Sequence, residues 1–468
     1  MPANYRYLEL ETWLLQGIAE RRWSYGERLP SIRWLCQQRK LSRATVQHAL
    51  QRLEAQGVVE SRPRSGYFVT QVASAPESRH RDTRLRPPSP ASVSDLLLDL
   101  MRRKGAFDLV PDAPPMEQPA AILALNRSIG RAMRRPGNTS HTYYDDPAGA
   151  LPLREQIARH YHRRGCGLTA DQLCITSGCQ HALSLALQAS CEPGDVVAVE
   201  SPGFYGSIQL LEQLGLQVLE IPCSRADGLN TEALEQALAQ WRIRACIVSP
   251  AFATPTGALL PTTSREHLLA LAQAHDFAVI EDDIYADTSL GAVPDPLKNL
   301  DHGDRVILCS SLSKSLSRDL RLGWVAGGRW QAKIEQLKLV NLLAGSQNIQ
   351  LGAAEFMADG GYFSHLRRQQ RVLRERRDTL LDALGSWPVE TGLSEPRGGL
   401  SVWVELPEHC NTSAAYGPAL EAGMVITPGN LFSPSKRFEN CLRISYEQAW
   451  HPLRLAALQQ LPGVLGLD

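Results

Sequence analysis

Five short apolar runs, at 196–200, 245–249, 278–281, 306–310 and 322–327, recur along the chain. Longer amphipathic stretches at 151–163, 180–189, 231–240 and 263–275 separate or flank them. A run that is apolar at every position has no side to offer to water, so as a strand it must be covered on both faces. Interleaved with stretches long enough to be crossover helices, such strands predict a parallel sheet sandwiched between helical layers, spanning residues 95–468. At 468 residues the chain also exceeds what one core ordinarily holds, so a further domain is expected.

That further domain is expected at the N-terminus. Residues 72–94 (VASAPESRHRDTRLRPPSPASVS) are rich in Pro, Ser, Ala and Arg without apolar periodicity, which predicts a linker. Before it, residues 1–71 hold a compact helical pattern with a β end. In the first 70 residues eleven Lys and Arg stand against six Glu, although the whole chain is formally neutral. A positive end on a neutral chain points to a polyanionic partner. The ten cysteines show neither a C-x-x-C pair nor zinc spacing, so reduced, mostly buried thiols in a cytosolic protein are expected. The opening MPANYRYLEL lacks a secretion pattern, and no run approaches the roughly 18 apolar residues of a membrane span.

Within residues 1–71, Ile32, Leu35 and Cys36 lie at helical spacing behind the N-cap candidate Ser31, and Val46, Ala49, Leu50 and Leu53 repeat the pattern. Arg39-Lys40-Leu41-Ser42 joins the two helices tightly, a helix-turn-helix geometry. Ser42, Arg43, Ala44 and Thr45 would then enter a major groove, Arg43 able to donate two hydrogen bonds to a guanine, while Arg33 holds a phosphate. Residues 58–61 and 67–70, joined by Arg62-Pro63-Arg64-Ser65-Gly66, predict a hairpin with a basic tip suited to the minor groove or its phosphates. The alternative is a small protein-interaction domain with a solvated basic face.

Three separated stretches of the body carry chemistry. TSGCQHALSLAL (176–187) runs from a strand into a small-residue turn, so the N–H groups of Gly178, Cys179 and Gln180 would cluster at a helix N-terminus and suit a phosphate. VIEDDIYAD (279–287) ends a buried strand in Glu281-Asp282-Asp283, at the sheet edge where ligands gather; the alternatives are a loop of solvated acids, or Asp282 facing a cationic ring nitrogen with Tyr285 on a phenolate-like oxygen. SSLSKSLSRDLRLGW (310–324) places Lys314 just past a strand end, with Ser311 and Arg321 beside it. That lysine alone could be a surface charge, a phosphate clamp or an imine-forming amine. An imine-forming lysine, an acid for a pyridinium and a phosphate cup are together what pyridoxal 5'-phosphate (PLP) requires.

The N-terminal pattern resembles the winged helix-turn-helix of the GntR regulators. The residues that carry the likeness are Leu29-Pro30-Ser31-x-Arg33, Ser42-Arg43-x-Thr45-Val46, Leu53-x-Ala55-x-Gly57 and Gly66-Tyr67-Phe68-Val69. Residues 95–468 resemble the aspartate-aminotransferase superfamily of PLP enzymes. That resemblance implies Lys314 as the Schiff-base lysine, with Arg321, Ser311 and the Gly178-Cys179-Gln180 turn as phosphate ligands. It further implies Asp282 on the pyridine nitrogen, Tyr285 on O3′, Phe204 stacked on the ring, and Tyr144 reaching the phosphate of a neighbouring subunit. Arg443, in Leu442-Arg443-Ile444-Ser445, would bind an amino-acid carboxylate. Where the superfamily usually reads Asn-Pro-x-Gly, this chain has Thr254-Pro255-Thr256-Gly257, which implies retained cofactor binding and poor turnover. Cys179 replaces a more usual hydroxyl.

Both ends together resemble the MocR or PdxR-like subfamily of bacterial GntR regulators. The fold class implied is an α+β winged helix-turn-helix domain followed by an α/β three-layer, PLP-dependent transferase-like domain with a smaller α+β C-terminal subdomain. The resemblance implies a cytoplasmic homodimer, head to tail, that binds double-stranded DNA and responds to an amino-acid or amine effector. The rival reading is a working aminotransferase that carries a DNA-binding head; a DNA-binding scaffold without PLP is a third.

Overall fold

The computed structural model of the chain describes residues 6–19, 22–23, 26–55, 58–62, 65–70, 85–90, 95–113, 119–135, 142, 144–387 and 391–467. Two compact units divide the chain, Met1–Asp82 and Thr83–Asp468, here called head and body.

The head contains α1 (Arg6–Ala19), α2 (Ile32–Arg39) and α3 (Arg43–Ala55), followed by β1 (Val59–Arg62) and β2 (Gly66–Val69). Ser31 caps α2 by accepting the Trp34 N–H at 3.2 Å. The helix stops because Lys40 turns left-handed, at φ +50°. Ser42 caps α3 in the same way, accepting the Thr45 N–H at 3.1 Å. The apolar periodicity works as expected: Val46, Ala49, Leu50 and Leu53 are fully buried against Leu35, and α1 adds Leu10, Leu14 and Ile18 to the same core. Burial of each such leucine contributes roughly 1.5–3 kcal/mol, which is why so small a unit can hold a fixed shape. β1 and β2 pair antiparallel from Val59 with Val69 to Arg62 with Gly66.

In the body, α4 (Asp95–Arg102), α5 (Ala120–Met133), α6 (Leu151–His162) and α7 (Cys179–Ser190) are the first helices. A nine-stranded sheet is built from β3 (Ser89–Pro90), β4 (Cys174–Thr176), β5 (Val196–Ser201), β6 (Gln217–Ser224), β7 (Gly228–Leu229), β8 (Ile243–Val248), β11 (Ala278–Asp282), β12 (Val306–Ser311) and β13 (Gly323–Ala326). Two short strands, β9 (Ala251–Ala253) and β10 (Ala258–Leu259), form a separate antiparallel pair. Strand order is β3-β6-β5-β8-β11-β12-β13-β4, with β7 on β6. From β6 through β12 the neighbours run parallel. Successive side chains go to opposite layers: Ala245 and Ile247 pack with the core under α7, whereas Cys246 and Val248 pack in the other layer. Both faces are therefore apolar, as the continuous runs predict.

Two expectations change. β13 runs antiparallel to both β12 and β4, so the sheet is mixed rather than parallel. Only eleven residues separate β12 from β13, too few for a crossover helix, and the chain returns by reversing direction. Ser89–Pro90 lie inside the stretch expected as linker, yet pair antiparallel with Val218 and Gln217 at the sheet edge. An edge is where a strand proline is tolerated, and composition alone does not disclose that pairing.

A second, antiparallel sheet of order β14-β15-β17-β16 comprises Gly392–Leu393, Ser401–Glu405, Cys441–Ser445 and Thr427–Pro428. With the helix Pro452–Leu465 it forms the smaller α+β subdomain, which shares its core with α4. The strands β5, β8, β11 and β12 all end on one edge of the large sheet, and the site is there.

Candidate cofactor and nucleic-acid sites

The three acids at the end of β11 are all buried, but only one remains for a ligand. Glu281 accepts the backbone N–H groups of Leu297 (2.6 Å) and Lys298 (2.9 Å). Asp283 takes both ends of the Arg164 guanidinium (2.5 and 2.8 Å) and the Tyr161 hydroxyl (2.9 Å). Among the described residues Asp282 receives only weak donors, the Cys179 thiol and the Ile284 N–H, each at 3.3 Å. Burial, with Asp283 adjacent, pushes its pKa up to about 6, against the pull of those donors and of Lys314. Asp282 is thus a buried carboxylate short of a cation, which is what a protonated ring nitrogen supplies.

Lys314 stands in the loop after β12. Its Nζ lies 3.8 Å from the centroid of the Phe107 ring and 5.9 Å from that of Tyr285. Burial, with Arg318 and Arg443 adding to it and Glu447 and Asp282 opposing, lowers its pKa to about 7. About half the amine is therefore unprotonated near neutrality, the state in which an amine attacks a carbonyl.

A cup for a phosphate lies where α7 begins. Gly178 caps that helix at φ +86°, and a Cβ there would come 2.5 Å from Nη2 of Arg321. Arg321, itself at φ +47°, donates Nη2 to the Ser177 carbonyl at 3.0 Å and so lies across the helix N-terminus. Gly323 permits the approach, since its Cβ would stand 2.5 Å from the Gly178 carbonyl carbon. Ser311 is buried and accepts the Ser313 N–H at 3.2 Å; the buried Ser313 hydroxyl has no partner among the described residues. Helix dipole, guanidinium and orphaned hydroxyl suit a dianion, so these residues fit the phosphate end of PLP. Ser313 was not singled out in the sequence, although it stands beside Lys314.

The remaining expected residues divide. Tyr285 is buried, its hydroxyl pushed well up by burial, and the side chain of Thr254 lies beside it and draws it partly back. Phe204 packs 5.0 Å from Tyr205. Gln180 spends its side chain on the Gly206 carbonyl (2.8 Å), leaving only its backbone to the helix start. The Cys179 side chain meets Asp282 rather than the phosphate cup. Arg443 comes from β17, is 4% exposed, and sits in an aromatic box of Phe432 (5.1 Å), Phe107 (5.4 Å) and Tyr205 (5.9 Å), with Nη2 on the Ala106 carbonyl. Tyr144 is 82% exposed. Outside the expected set of site residues stand Phe107, far upstream, together with Arg318 and Glu447, which form an ion pair. Nothing in the local sequence of Phe107 marks it; proximity to Lys314 exists only in the fold.

In the head, Arg33, Ser42, Arg43 and Ala44 are exposed along the start of α2 and α3, and Thr45 is half-buried. Ser42 and Thr45 share a hydroxyl–hydroxyl bond of 2.8 Å, so both are occupied in shaping the helix start, and Arg43 is left as the long reaching side chain. Arg62 pairs with Glu60 (2.6 Å) and covers Phe68 (4.3 Å) on the wing. Gly66, at φ +107°, closes the hairpin against Arg28. Arg64 lies outside the described residues. Among the described residues no helix is long and apolar enough to cross a membrane.

Residues 118–452 match the family "Aminotransferase class I and II", and residues 6–69 match "Bacterial regulatory proteins, gntR family". The uncharacterized HTH-type transcriptional regulator YjiR of Escherichia coli (strain K12) is 37% identical, over 94% of this chain and 94% of its own. The HTH-type transcriptional regulator TauR of Rhodobacter capsulatus is 30% identical over 93% and 92%. The body also superposes on LysN, the α-aminoadipate aminotransferase of Thermus thermophilus solved with N-(5'-phosphopyridoxyl)-L-leucine, with a TM-score of 0.71 and 28% identity over 80% of this chain and 95% of that one. The body therefore has the fold of PLP-dependent aminotransferases. With a GntR head ahead of that body across its length, the chain belongs to the MocR-like family of GntR regulators.

Proposed function

We propose that this protein is a PLP-binding transcriptional regulator whose head binds double-stranded DNA and whose body senses an amino acid or another amine. The observation that carries the reading is the convergence at one sheet edge of a near-neutral-pKa lysine, an unpaired buried aspartate and a phosphate cup, in a chain that also exposes Arg43 on a helix-turn-helix. Lys314 would carry the cofactor, Asp282 its ring nitrogen, Tyr285 the O3′ oxygen, and Arg321, Ser311 and the Gly178–Gln180 turn its phosphate, with Phe204 against the ring. When bound, the cofactor supplies a carbonyl carbon that captures amines reversibly. Asp282 would hold a proton-bearing nitrogen in place, Lys314 would take up and return a proton at Nζ, and Arg443 would orient a carboxylate. Arg33 would hold a DNA phosphate, Arg43 would read a base edge, and Arg62 with Arg64 and Gly66 would present the wing.

The bodies would pair head to tail in the cytoplasm, with the exposed Tyr144 serving the neighbouring subunit. A ligand can alter DNA binding only if it contacts two body conformations unequally. The test is the absorption spectrum of purified protein with PLP, titrated with amino acids beside a DNA-binding assay. Spectral change with a parallel shift in operator affinity is expected. A protein without cofactor absorbance after PLP addition refutes the reading and favours a DNA-binding scaffold.

The second reading is a working aminotransferase. It is favoured by the intact trio of Lys314, Asp282 and Tyr285, and opposed by Thr254, too short to replace an asparagine amide. Turnover with a 2-oxo acid, abolished by Lys314→Ala, would establish it.

A further inference from the structure

We propose that Arg318 forms a second acid-binding subsite beside Arg443, so that the ligand taken at Lys314 is an amino acid with two acidic groups. The inference rests on the reading that amines are captured at Lys314, and it names their class. One aromatic ring organises three cations: Lys314 Nζ, Arg318 Cζ and Arg443 Cζ lie 3.8, 4.2 and 5.4 Å from the centroid of Phe107. Only one of these cations is needed for the α-carboxylate of an amino acid, and Arg443 is the more enclosed candidate.

Arg318 already shows what it can hold. Its Nη2 donates to the carboxylate of Glu447, a group of the same chemistry as a ligand's distal acid. That pairing uses one of five guanidinium donors, and Nε is buried without a partner among the described residues. Arg443 repeats the pattern, with Nη2 on the Ala106 carbonyl and Nε buried and, among the described residues, unpaired. A buried N–H left unmade is costly, and a carboxylate is the acceptor that satisfies a guanidinium edge best. The Arg318 side chain keeps 41% exposure, so a distal acid can reach it from solvent, while Arg443 lies deeper at 4%. Because both guanidiniums rest on one ring, the two acids must be joined by a chain of only a few carbons. A ligand lacking the second acid would leave the Arg318 Nε unsatisfied, and sites built on buried donors discriminate strongly against such analogues.

The experiment is calorimetric titration of the PLP-loaded protein with L-glutamate, L-2-aminoadipate and the neutral isostere L-glutamine. The acidic amino acids are expected to bind roughly 10- to 100-fold more tightly than L-glutamine, the range of one charge-assisted contact. Arg318→Gln should reduce that ratio to about one while the cofactor absorbance stays unchanged. Glu447→Gln, which removes the competing carboxylate, should raise the ratio. Equal binding of L-glutamate and L-glutamine by the unaltered protein overturns the proposal, and so does a preference that survives Arg318→Gln. If Arg318→Gln does not fold, a ratio that falls in Glu447→Gln overturns it equally. Failure of the underlying reading would look different, as loss of cofactor absorbance in the unaltered protein before any ligand is added.

Discussion

Replacing Lys314 by Met removes an amine that the fold holds near neutrality and keeps a side chain of similar size. The pKa of Lys314 is about 7 in the folded protein against 10.5 for an ordinary lysine. Between those values the unfolded chain binds more protons than the folded one, so the amine's penalty on stability is greatest below pH 7 and fades as pH rises toward 10.5. At about 1.4 kcal/mol per pKa unit, the full penalty well below pH 7 is roughly 5 kcal/mol, falling to roughly 4 kcal/mol at pH 7 and roughly 2 kcal/mol at pH 9. Water reaching the partly exposed side chain reduces both figures. The PLP-free Lys314→Met protein should therefore be more stable than the unaltered PLP-free protein by about 2–4 kcal/mol at pH 7, and by about half that at pH 9. Urea unfolding of both proteins at the two pH values measures the gap. Lys314 helps to hold the Asp282 pKa at about 6, so its loss raises that pKa and adds a small Asp282 contribution at pH 7 that is absent at pH 9. A gap that does not change with pH would refute the claim that burial beside Arg318 and Arg443 depresses this lysine.

Arg43→Ala should weaken operator binding by about 1–3 kcal/mol and relax base preference, leaving the cofactor spectrum intact; a fall in PLP uptake instead would break the proposed division of labour. Gly178→Ala forces a Cβ into a glycine conformation at φ +86° and against Arg321, so PLP affinity should drop, with a stability cost of about 1–3 kcal/mol. Equilibrium dialysis with PLP checks it, and unchanged affinity would remove the helix start from the phosphate cup. Thr254→Asn restores an amide beside Tyr285 and should raise any slow transamination; single-turnover kinetics with an amino acid would show it, and no change would mean that Thr254 does not limit turnover.

Much of the head was legible because its signals are local. Ser31 and Ser42 cap the helices that follow them, and Val46, Ala49, Leu50 and Leu53 need only helical spacing to share a face. The sheet was legible for a similar reason: strands buried on both sides carry continuous apolar runs wherever they sit. Direction was not legible. β13 has the composition of its parallel neighbours, and only the short return from β12 reverses it.

The lysine, the aspartate and the phosphate turn could be found in sequence, because each follows a strand end or opens a helix and such ends converge on one edge of a sheet. Sequence could not tell Asp282 from Glu281 and Asp283 on physical grounds. The choice is made by Arg164, Tyr161 and two backbone N–H groups, which consume the other two acids. Nor could it place Phe107 under Lys314, Arg318 and Arg443, residues more than two hundred positions away in the chain. By itself the sequence determined which elements form and which chemistry they bear, since both depend on neighbouring residues. The tertiary structure alone decided which charges are cancelled, which remain, and what surrounds them, because those follow from contacts between distant segments.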